Sequence, residues 1–221
     1  MPGRRTASLR IMECRLSVAF RRHAHILRHA NVSWKEIRMP EMLDQEFERI
    51  GKRLFQEGLV GANFGNISVR GEGGFFITRT GAYLDAGGMP VFVPETGDAP
   101  REASSEYRVH RVVYRETPHS TIVHAHPVHA VAASLDTDLI RPVDSEGGML
   151  CPDIPVVTGD PGTDVIAENV AGALKNGHIV IVRGHGTFAA GKTLDEAYLY
   201  TSIADYACRI LLLSGRLRGV L

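Results

Sequence analysis

Residues 121–127, Thr-Ile-Val-His-Ala-His-Pro, restrict the possible folds of this chain more than any other segment. The apolar run predicts a buried strand, and side chains at positions i and i+2 of a strand point to the same side. His124 and His126 should therefore converge where the strand ends. Two neutral imidazoles side by side are well suited to hold a divalent metal. A third imidazole, His185, follows the strand-like run that begins at residue 178.

Three imidazole ligands with one open position are typical of a catalytic zinc site rather than a structural one. The alternative is that these are partly buried histidines satisfied by hydrogen bonds, which is the usual interpretation of a single histidine. The paired spacing of His124 and His126, with His185 placed before a glycine, favours the metal site. His129 follows on the expected helix and is interpreted as a helix-face residue rather than a fourth ligand.

Composition sets the broad class of protein. The chain has 221 residues, enough for one domain or at most two, with 44% hydrophobic and 23% charged residues. Its formal net charge of zero gives no reason to expect attraction to nucleic acid or to an acidic membrane. The widely spaced Cys14, Cys151 and Cys208 predict reduced thiols in a cytoplasmic protein. No apolar stretch approaches the roughly 18 residues of a membrane span.

The first 38 residues are rich in arginine and poor in acidic side chains. One interpretation is a transit-type presequence. The other, which we favour because serines are few, is a poorly ordered extension upstream of a true start at Met39 or Met42. The sequence thus predicts an N-terminal extension over residues 1–38 and a single domain over residues 39–221.

Hydrophobic periodicity and turn residues predict helices and strands that are mixed along the chain rather than strictly alternating. Helices are expected at 40–58, from Ser104 or Ser105 to 116, around 131–135, at 162–176 and at 193–215. Strands are expected at 66–69, 75–78, 91–93, 121–124, 154–157 and 178–182, with a loop region at 136–153. Several strands are separated only by turns. The predicted fold class is therefore α/β, with a mixed or antiparallel central sheet flanked by helices.

Three short polar turns carry groups suited to binding a phosphate. Glycine lets the backbone approach a ligand closely, amide and hydroxyl groups donate hydrogen bonds, and free N–H groups at a helix start favour anions. Each turn alone is a common feature, and together they can cradle one anion. The residues are Gly65, Asn66, Thr80, Gly81, Ser104 and Ser105.

Glu106 follows the serine pair. It is either an acid in the first turn of a helix or a carboxylate held near the metal, able to act as a base or as a labile ligand. A Schiff-base mechanism would need a desolvated lysine instead. None of the candidates ends a buried-looking strand, so the metal route is favoured. Those candidates are Lys35, Lys52, Lys175 and Lys192.

Taken together, these motifs resemble the class II aldolase/adducin family over about residues 42–214. The resemblance is carried by Gly-Asn-Ile-Ser at 65–68, Thr-Gly at 80–81, Ser-Ser-Glu at 104–106, His-Ala-His-Pro at 124–127 and Gly-His-Gly at 184–186. It implies an α/β/α layered fold with a mixed, largely antiparallel sheet. It also implies a bound zinc ion and a homotetramer with active sites at the subunit interfaces.

The resemblance also implies roles. His124, His126 and His185 would hold the metal, with Glu106 as a resting-state ligand and then as the acid–base. The six residues of the polar turns would bind the substrate phosphate. The implied reaction is reversible cleavage of a small phosphorylated ketose, of the fuculose 1-phosphate type, to glycerone phosphate and an aldehyde through a zinc-stabilised enediolate. A three-histidine site also accepts other divalent metals.

The chain departs from the family pattern at three points. Phe64 stands where a small residue is usual, Arg79 where proline is usual, and Gly184 where asparagine is usual. The arginine at position 79 predicts a reshaped or more cationic phosphate pocket.

Other branches of the family stay open. Glu146 falls roughly where a methylthioribulose-phosphate dehydratase carries its acid, and it is otherwise a solvated loop carboxylate. A pentulose-phosphate 4-epimerase usually has aspartate at the position of Glu106, so the glutamate favours the aldolase. A non-catalytic adducin-like module would tend to lose the metal ligands, and this chain keeps all of them.

Overall fold

The computed structural model describes residues 40–217, so the predicted extension over residues 1–38 lies outside the described residues and stays a prediction. The helices of the described part are α1 (Glu41–Gln56), α2 (Tyr107–Glu116), α3 (Val128–Ser134), α4 (Ser145–Leu150), α5 (Asp164–Leu174) and α6 (Leu194–Leu213). The strands are β1 (Asn66–Gly71), β2 (Gly74–Ile77), β3 (Val91–Pro94), β4 (Thr121–Ala125), β5 (Leu139–Ile140), β6 (Ile154–Val157), β7 (Ile179–Val182) and β8 (Gly186–Gly191). None of the described helices is long and apolar enough to cross a membrane.

The eight strands form one sheet in the order β3-β2-β1-β4-β8-β7-β6-β5. Neighbouring strands are antiparallel except β6 and β7, which are parallel. The predicted α/β class with a mixed, largely antiparallel sheet is therefore confirmed. Strand β4, which carries the first histidine of the pair, lies in the middle of the sheet between β1 and β8.

Helices cover both faces of the sheet. Helices α2 and α5 pack on the face that carries Ile122 and Phe188. Helices α1 and α6 pack on the opposite face, which carries Val123 and Ala125. Because side chains alternate along a strand, His124 shares the first face with Ile122. This α/β/α layering buries the end of β4 and places the His124 side chain below α2.

The predicted loop at 136–153 is wrong, because it contains β5 and α4. A two-residue strand and a six-residue helix with two glycines are too short to show hydrophobic periodicity. The start of α4 is instead fixed by a cap, in which the Asp144 side chain accepts a hydrogen bond from Gly147 N–H at 2.8 Å.

Two further features differ from the sequence prediction, namely an additional strand and the start of a helix. Strand β8 was not predicted, since its Gly-Thr-Phe-Ala-Ala-Gly sequence is poor in strand-forming residues, yet it is fully buried between β4 and β7. Helix α2 begins at Tyr107 with Glu106 in the capping position, not at the serines. The Ser104 hydroxyl nevertheless accepts from Glu106 N–H at 3.4 Å, so it supports the turn that precedes the helix.

Candidate metal centre

His124 is held rigidly in the middle of the sheet. It pairs in register with Asn66 of β1 on one side and Phe188 of β8 on the other, and it is 1% exposed. Its ring stacks on Phe188 at 4.0 Å between centroids. The Nδ1–H donates to the Thr187 carbonyl at 2.9 Å. Because Nδ1 carries the proton, the Nε2 lone pair of His124 is left to bind a metal.

His126 and His185 are brought to the same place by two turns. The backbone N–H of His126, just beyond β4, donates to the Leu59 carbonyl at 3.0 Å. His185 lies in the turn between β7 and β8. That turn is tied to the end of α3, since Gly184 N–H donates to the Ser134 hydroxyl at 2.9 Å and Arg183 donates to the Ser134 carbonyl at 2.5 Å.

The three imidazoles meet around one point. Their ring centroids are 4.7, 4.9 and 5.0 Å apart, and one ligand nitrogen from each lies within 4.8 Å of the other two. The Nε2 atoms of His124 and His126 are 3.0 Å apart. Two nitrogens on one tetrahedral zinc ion, each bound at about 2.0–2.1 Å, would be roughly 3.3 Å apart. His185 Nδ1 is buried without a hydrogen-bond partner in residues 40–217, so the donor set fits a metal.

Electrostatics keep these ligands neutral. Burial lowers the pKa of His124 well below its usual range, and the neighbouring His126 and His185 add to the effect. Burial lowers the pKa of His126 to about 4, with a contribution from His185. Burial also lowers the pKa of His185. Neutral imidazoles are the form that binds a metal, so the site is ready for one at neutral pH.

Glu106 lies at the start of α2, on the helix that covers the His124 face of the sheet. It is 5% exposed, and its Oε2 atom has no hydrogen-bond partner within the described part of the chain. Burial raises the pKa of this carboxyl group above its usual range. The structure does not bring Glu106 into the group of ligand atoms that meet within 4.8 Å, which consists of the three histidines.

The three polar turns are joined to one another by backbone hydrogen bonds. Thr78 N–H donates to the Ile67 carbonyl at 3.0 Å, and Ser104 N–H donates to the Thr78 carbonyl at 3.1 Å. Gly81 lies close to the Asn63 amide, which a methyl group on Gly81 would approach to 3.7 Å. Asn66 and Ser104 are buried, whereas Thr80, Gly81 and Ser105 are exposed. The structure therefore assembles the six predicted residues on three adjoining segments.

Gly65 is required by a close approach to the strand that carries His124. Its φ is +77°, and a Cβ atom here would lie 2.6 Å from the His124 carbonyl oxygen. We expect Gly65→Ala to lower the free energy of unfolding by about 2–4 kcal/mol, from left-handed backbone strain plus overpacking. Gly58→Ala is the matched control, because Gly58 has φ +70° with nothing within 4 Å. Chemical denaturation that gave both variants the same loss would contradict this account.

Phe64, the first departure from the family pattern, covers His126. The two rings stack at 5.5 Å with an interplanar angle of 14°, and Phe64 is 53% exposed. Sequence reasoning noted the unusual residue but not this contact. The large aromatic side chain at that position was the only available signal.

Replacing Phe64 with alanine should therefore loosen the His126 ring without unfolding the protein. We expect metal affinity to fall about two- to tenfold, the equivalent of one aromatic contact, while the thermal midpoint stays unchanged. Phe55→Ala is the control, since Phe55 is another exposed aromatic, on α1. Chelator competition measures the affinities, and equal values for the two variants would remove Phe64 from the site.

The remaining candidates lie elsewhere. His129 lies on α3 and bonds through Nδ1 to Asp205 at 2.9 Å, so it belongs to the helix face as predicted. Glu146 is exposed in the first turn of α4. Arg79 is exposed, and its backbone pairs with Ala103 beside the second polar turn.

Known proteins share both the sequence and this architecture. Residues 45–212 match the family model described as Class II Aldolase and Adducin N-terminal domain. An L-fuculose phosphate aldolase of Escherichia coli K12 is 33% identical over 156 residues, covering 63% of this chain and 68% of the relative. The enzyme of that name from Methanococcus vannielii is 27% identical over 171 residues, covering 75% of this chain and 93% of the relative.

A solved structure agrees with these relatives. The crystal structure of L-fuculose-1-phosphate aldolase from Thermus thermophilus matches with a TM-score of 0.76 and 37% identity, covering 81% of this chain and 97% of that one. The chain therefore belongs to the class II aldolase and adducin family. Its relatives support an aldolase, and class II aldolases depend on a metal, for which the three histidines are suited.

Proposed function

We propose that this chain is a metal-dependent aldolase that reversibly cleaves a small phosphorylated ketose, of the fuculose 1-phosphate type, into glycerone phosphate and an aldehyde. The observation that carries the proposal is the meeting of three neutral imidazoles, with one ligand nitrogen of each within 4.8 Å of the other two. The relatives named L-fuculose phosphate aldolase support the substrate class.

We assign the metal to His124, His126 and His185. A divalent cation held there would act as a Lewis acid and stabilise negative charge on the substrate oxygen atoms. Zinc suits a three-histidine set, and manganese, iron or cobalt is also compatible with it. The Thr187 carbonyl fixes the His124 tautomer, and the turn at Gly184 holds the His185 backbone, so the protein sets the ligand geometry in advance.

Glu106 is assigned the proton transfers. When the carbon–carbon bond of the ketose breaks, the bonding electrons stay on the fragment that becomes glycerone phosphate, and Glu106 gives a proton to that carbon. In the reverse direction Glu106 removes it. Burial raises the pKa of Glu106 toward the range in which a carboxyl group both holds and releases a proton. Its proposed resting role as a ligand would require the side chain to rotate toward the histidines.

The substrate phosphate is assigned to the joined polar turns. Backbone N–H groups and short polar side chains at such turns recognise an anion without a buried counter-charge. The exposure of Thr80, Gly81 and Ser105 leaves the pocket open to the substrate. Arg79 adds a cation beside it. The proposed residues are Gly65, Asn66, Thr80, Gly81, Ser104 and Ser105.

The proposed assembly is a homotetramer with active sites at the subunit interfaces. The residue that protonates the leaving aldehyde would then come from a neighbouring subunit. Analytical ultracentrifugation of the metal-loaded protein tests this proposal, and a monomer at working concentration would contradict it.

A cleavage assay over a panel of ketose 1-phosphates, with and without chelator, tests the function. Release of glycerone phosphate that is lost with chelator and restored by added metal supports the aldolase. Loss of water without carbon–carbon cleavage would indicate the dehydratase, with Glu146 as its acid. Interconversion of pentulose phosphates would indicate an epimerase. A protein that binds no metal and turns over nothing would be an adducin-like module.

A further inference from the structure

A network of buried, hydrogen-bonded side chains connects β1 to α2, the helix that Glu106 precedes. His110 and Tyr114 are on α2, and Ser68 is on β1 beneath them. The Ser68 hydroxyl is 2.6 Å from His110 Nδ1 and 2.6 Å from the Tyr114 hydroxyl. His110 and Ser68 are fully buried, and Tyr114 is 5% exposed. The groups must therefore satisfy one another's hydrogen bonds rather than rely on solvent.

Two buried atoms, one in this network and one in the residue that precedes α2, have no hydrogen-bond partner among residues 40–217. They are His110 Nε2 and Glu106 Oε2. The two residues are four positions apart, and His110 N–H donates to the Glu106 carbonyl at 3.3 Å. Side chains at this spacing lie on the same face of a helix. A buried imidazole nitrogen and a buried carboxylate oxygen thus belong to residues one helical turn apart, each lacks a partner, and the two are not bonded to each other in this structure.

The hydrogen count decides which nitrogen of His110 carries the proton. If Tyr114 donates to Ser68, and Ser68 donates to His110 Nδ1, both hydroxyl hydrogens are used and the ring proton is on Nε2. If instead His110 Nδ1–H donates to Ser68, and Ser68 donates to Tyr114, the Tyr114 hydroxyl hydrogen has no acceptor within the described residues. The first order satisfies more groups, and it leaves an N–H donor on the face that carries the Glu106 carboxylate.

We propose that His110 is a positioning residue whose Nε2–H donates to the Glu106 carboxylate once a side-chain rotation brings these two unpartnered groups together, in a tautomer fixed by Ser68 and Tyr114. This inference rests on the proposed function, because it concerns the orientation of the proposed acid–base. A donor that engages one carboxylate oxygen leaves the other oxygen to exchange a proton with the substrate carbon. His110 thereby acts on the reaction through Glu106 and does not touch the substrate.

The surroundings of the network hold its side chains in a fixed orientation. Arg70 donates to the carbonyls of Tyr114 at 2.5 Å and of Thr117 at 2.9 Å, and its guanidinium lies 4.9 Å from the centre of the Tyr114 ring. The Tyr114 end of the network is therefore anchored. Full burial lowers the pKa of His110 to about 3, so the ring stays neutral and acts only as a hydrogen-bond relay.

Nitrogen NMR of the histidine rings tests the tautomer directly. The His110 signals are identified by their absence from the spectrum of His110→Gln. We expect the wild-type protein to carry the proton on Nε2, and Ser68→Ala to lose this single tautomer. A wild-type His110 protonated on Nδ1 overturns the inference, and this result does not depend on any activity.

Kinetics test the role. His110→Met should lower kcat about 10- to 100-fold, the loss expected for one hydrogen bond to a charged group, with KM unchanged. His110→Gln places an amide donor near the Nε2 position and should recover about tenfold of that loss. Thr201→Val is the control, because the Thr201 hydroxyl donates to the Ala197 carbonyl in a buried part of α6. It should keep the wild-type kcat.

The failure of the inference and that of the proposed function are distinguishable. A wild-type protein that cleaves no ketose phosphate counts against the proposed function, and the NMR result still decides the His110 tautomer. A wild-type kcat in a folded, metal-loaded His110→Met variant overturns the positioning role even if the aldolase is established. If His110→Met does not fold, the smaller Ser68→Ala change is measured in its place, and a wild-type kcat there overturns the role as well.

Discussion

Glu106→Gln is expected to lower kcat of aldol cleavage about 10²- to 10⁴-fold, the range that general acid–base catalysis contributes. The amide keeps the size of the side chain but cannot exchange a proton with the substrate carbon. Metal binding should persist, because the three imidazoles that meet within 4.8 Å are untouched. Steady-state kinetics and metal analysis of one preparation give both quantities.

Glu168→Gln is the matched control for this substitution. Glu168 is an exposed carboxylate on α5, away from the histidine group, so its loss should leave kcat and metal content unchanged. Turnover of Glu106→Gln at the wild-type rate would remove Glu106 from the chemistry. Loss of both activity and metal would instead identify it chiefly as a ligand.

His185→Ala is expected to produce the largest loss of metal. The substitution removes one of three protein ligands, and losing even an outer-shell partner of a ligand costs about 10–100-fold in affinity. We therefore expect at least about 100-fold weaker binding in chelator competition. His185 lies in a surface turn, so the metal-free variant should fold.

Thermal unfolding gives an independent measure, because a ligand that binds only the folded state stabilises it by about 2.7 kcal/mol at one hundred times its Kd. Added zinc should raise the midpoint of the wild type and leave that of His185→Ala unchanged. His129→Ala is the control, since that imidazole bonds to Asp205 on α6 and is outside the group of three. A zinc-dependent shift of wild-type size in His185→Ala would refute the assigned ligand set.

Local patterns predicted much of the fold. The apolar residues Leu43, Phe47, Ile50 and Leu54 recur at steps of three and four, the spacing of one face of a helix, and all four are buried on α1. The Thr193 hydroxyl caps α6 by accepting from Glu196 N–H at 3.2 Å. These features depend on neighbours within one or two turns, so the sequence alone contains the necessary information.

One part of the candidate site also follows from local sequence, whereas the rest depends on contacts between distant segments. The i, i+2 spacing of His124 and His126 defines their convergence without any tertiary contact. The approach of His185 depends on β8, which the residue pattern did not reveal because small side chains and glycines form it. The Phe64 stack and the Ser68–His110 hydrogen bond join segments that no short-range pattern relates.

The sequence by itself determined the helices with clear periodicity, the histidine pair and, through the order of its motifs, the family. Only the tertiary structure decided that β4 lies between β1 and β8, that His185 reaches the pair, and that Glu106 and His110 are both buried with an unpartnered polar atom. The physical reason is the distance along the sequence over which each interaction acts. Propensity, capping and alternation act over a few residues, whereas strand order and the burial of polar side chains are set by packing between distant segments.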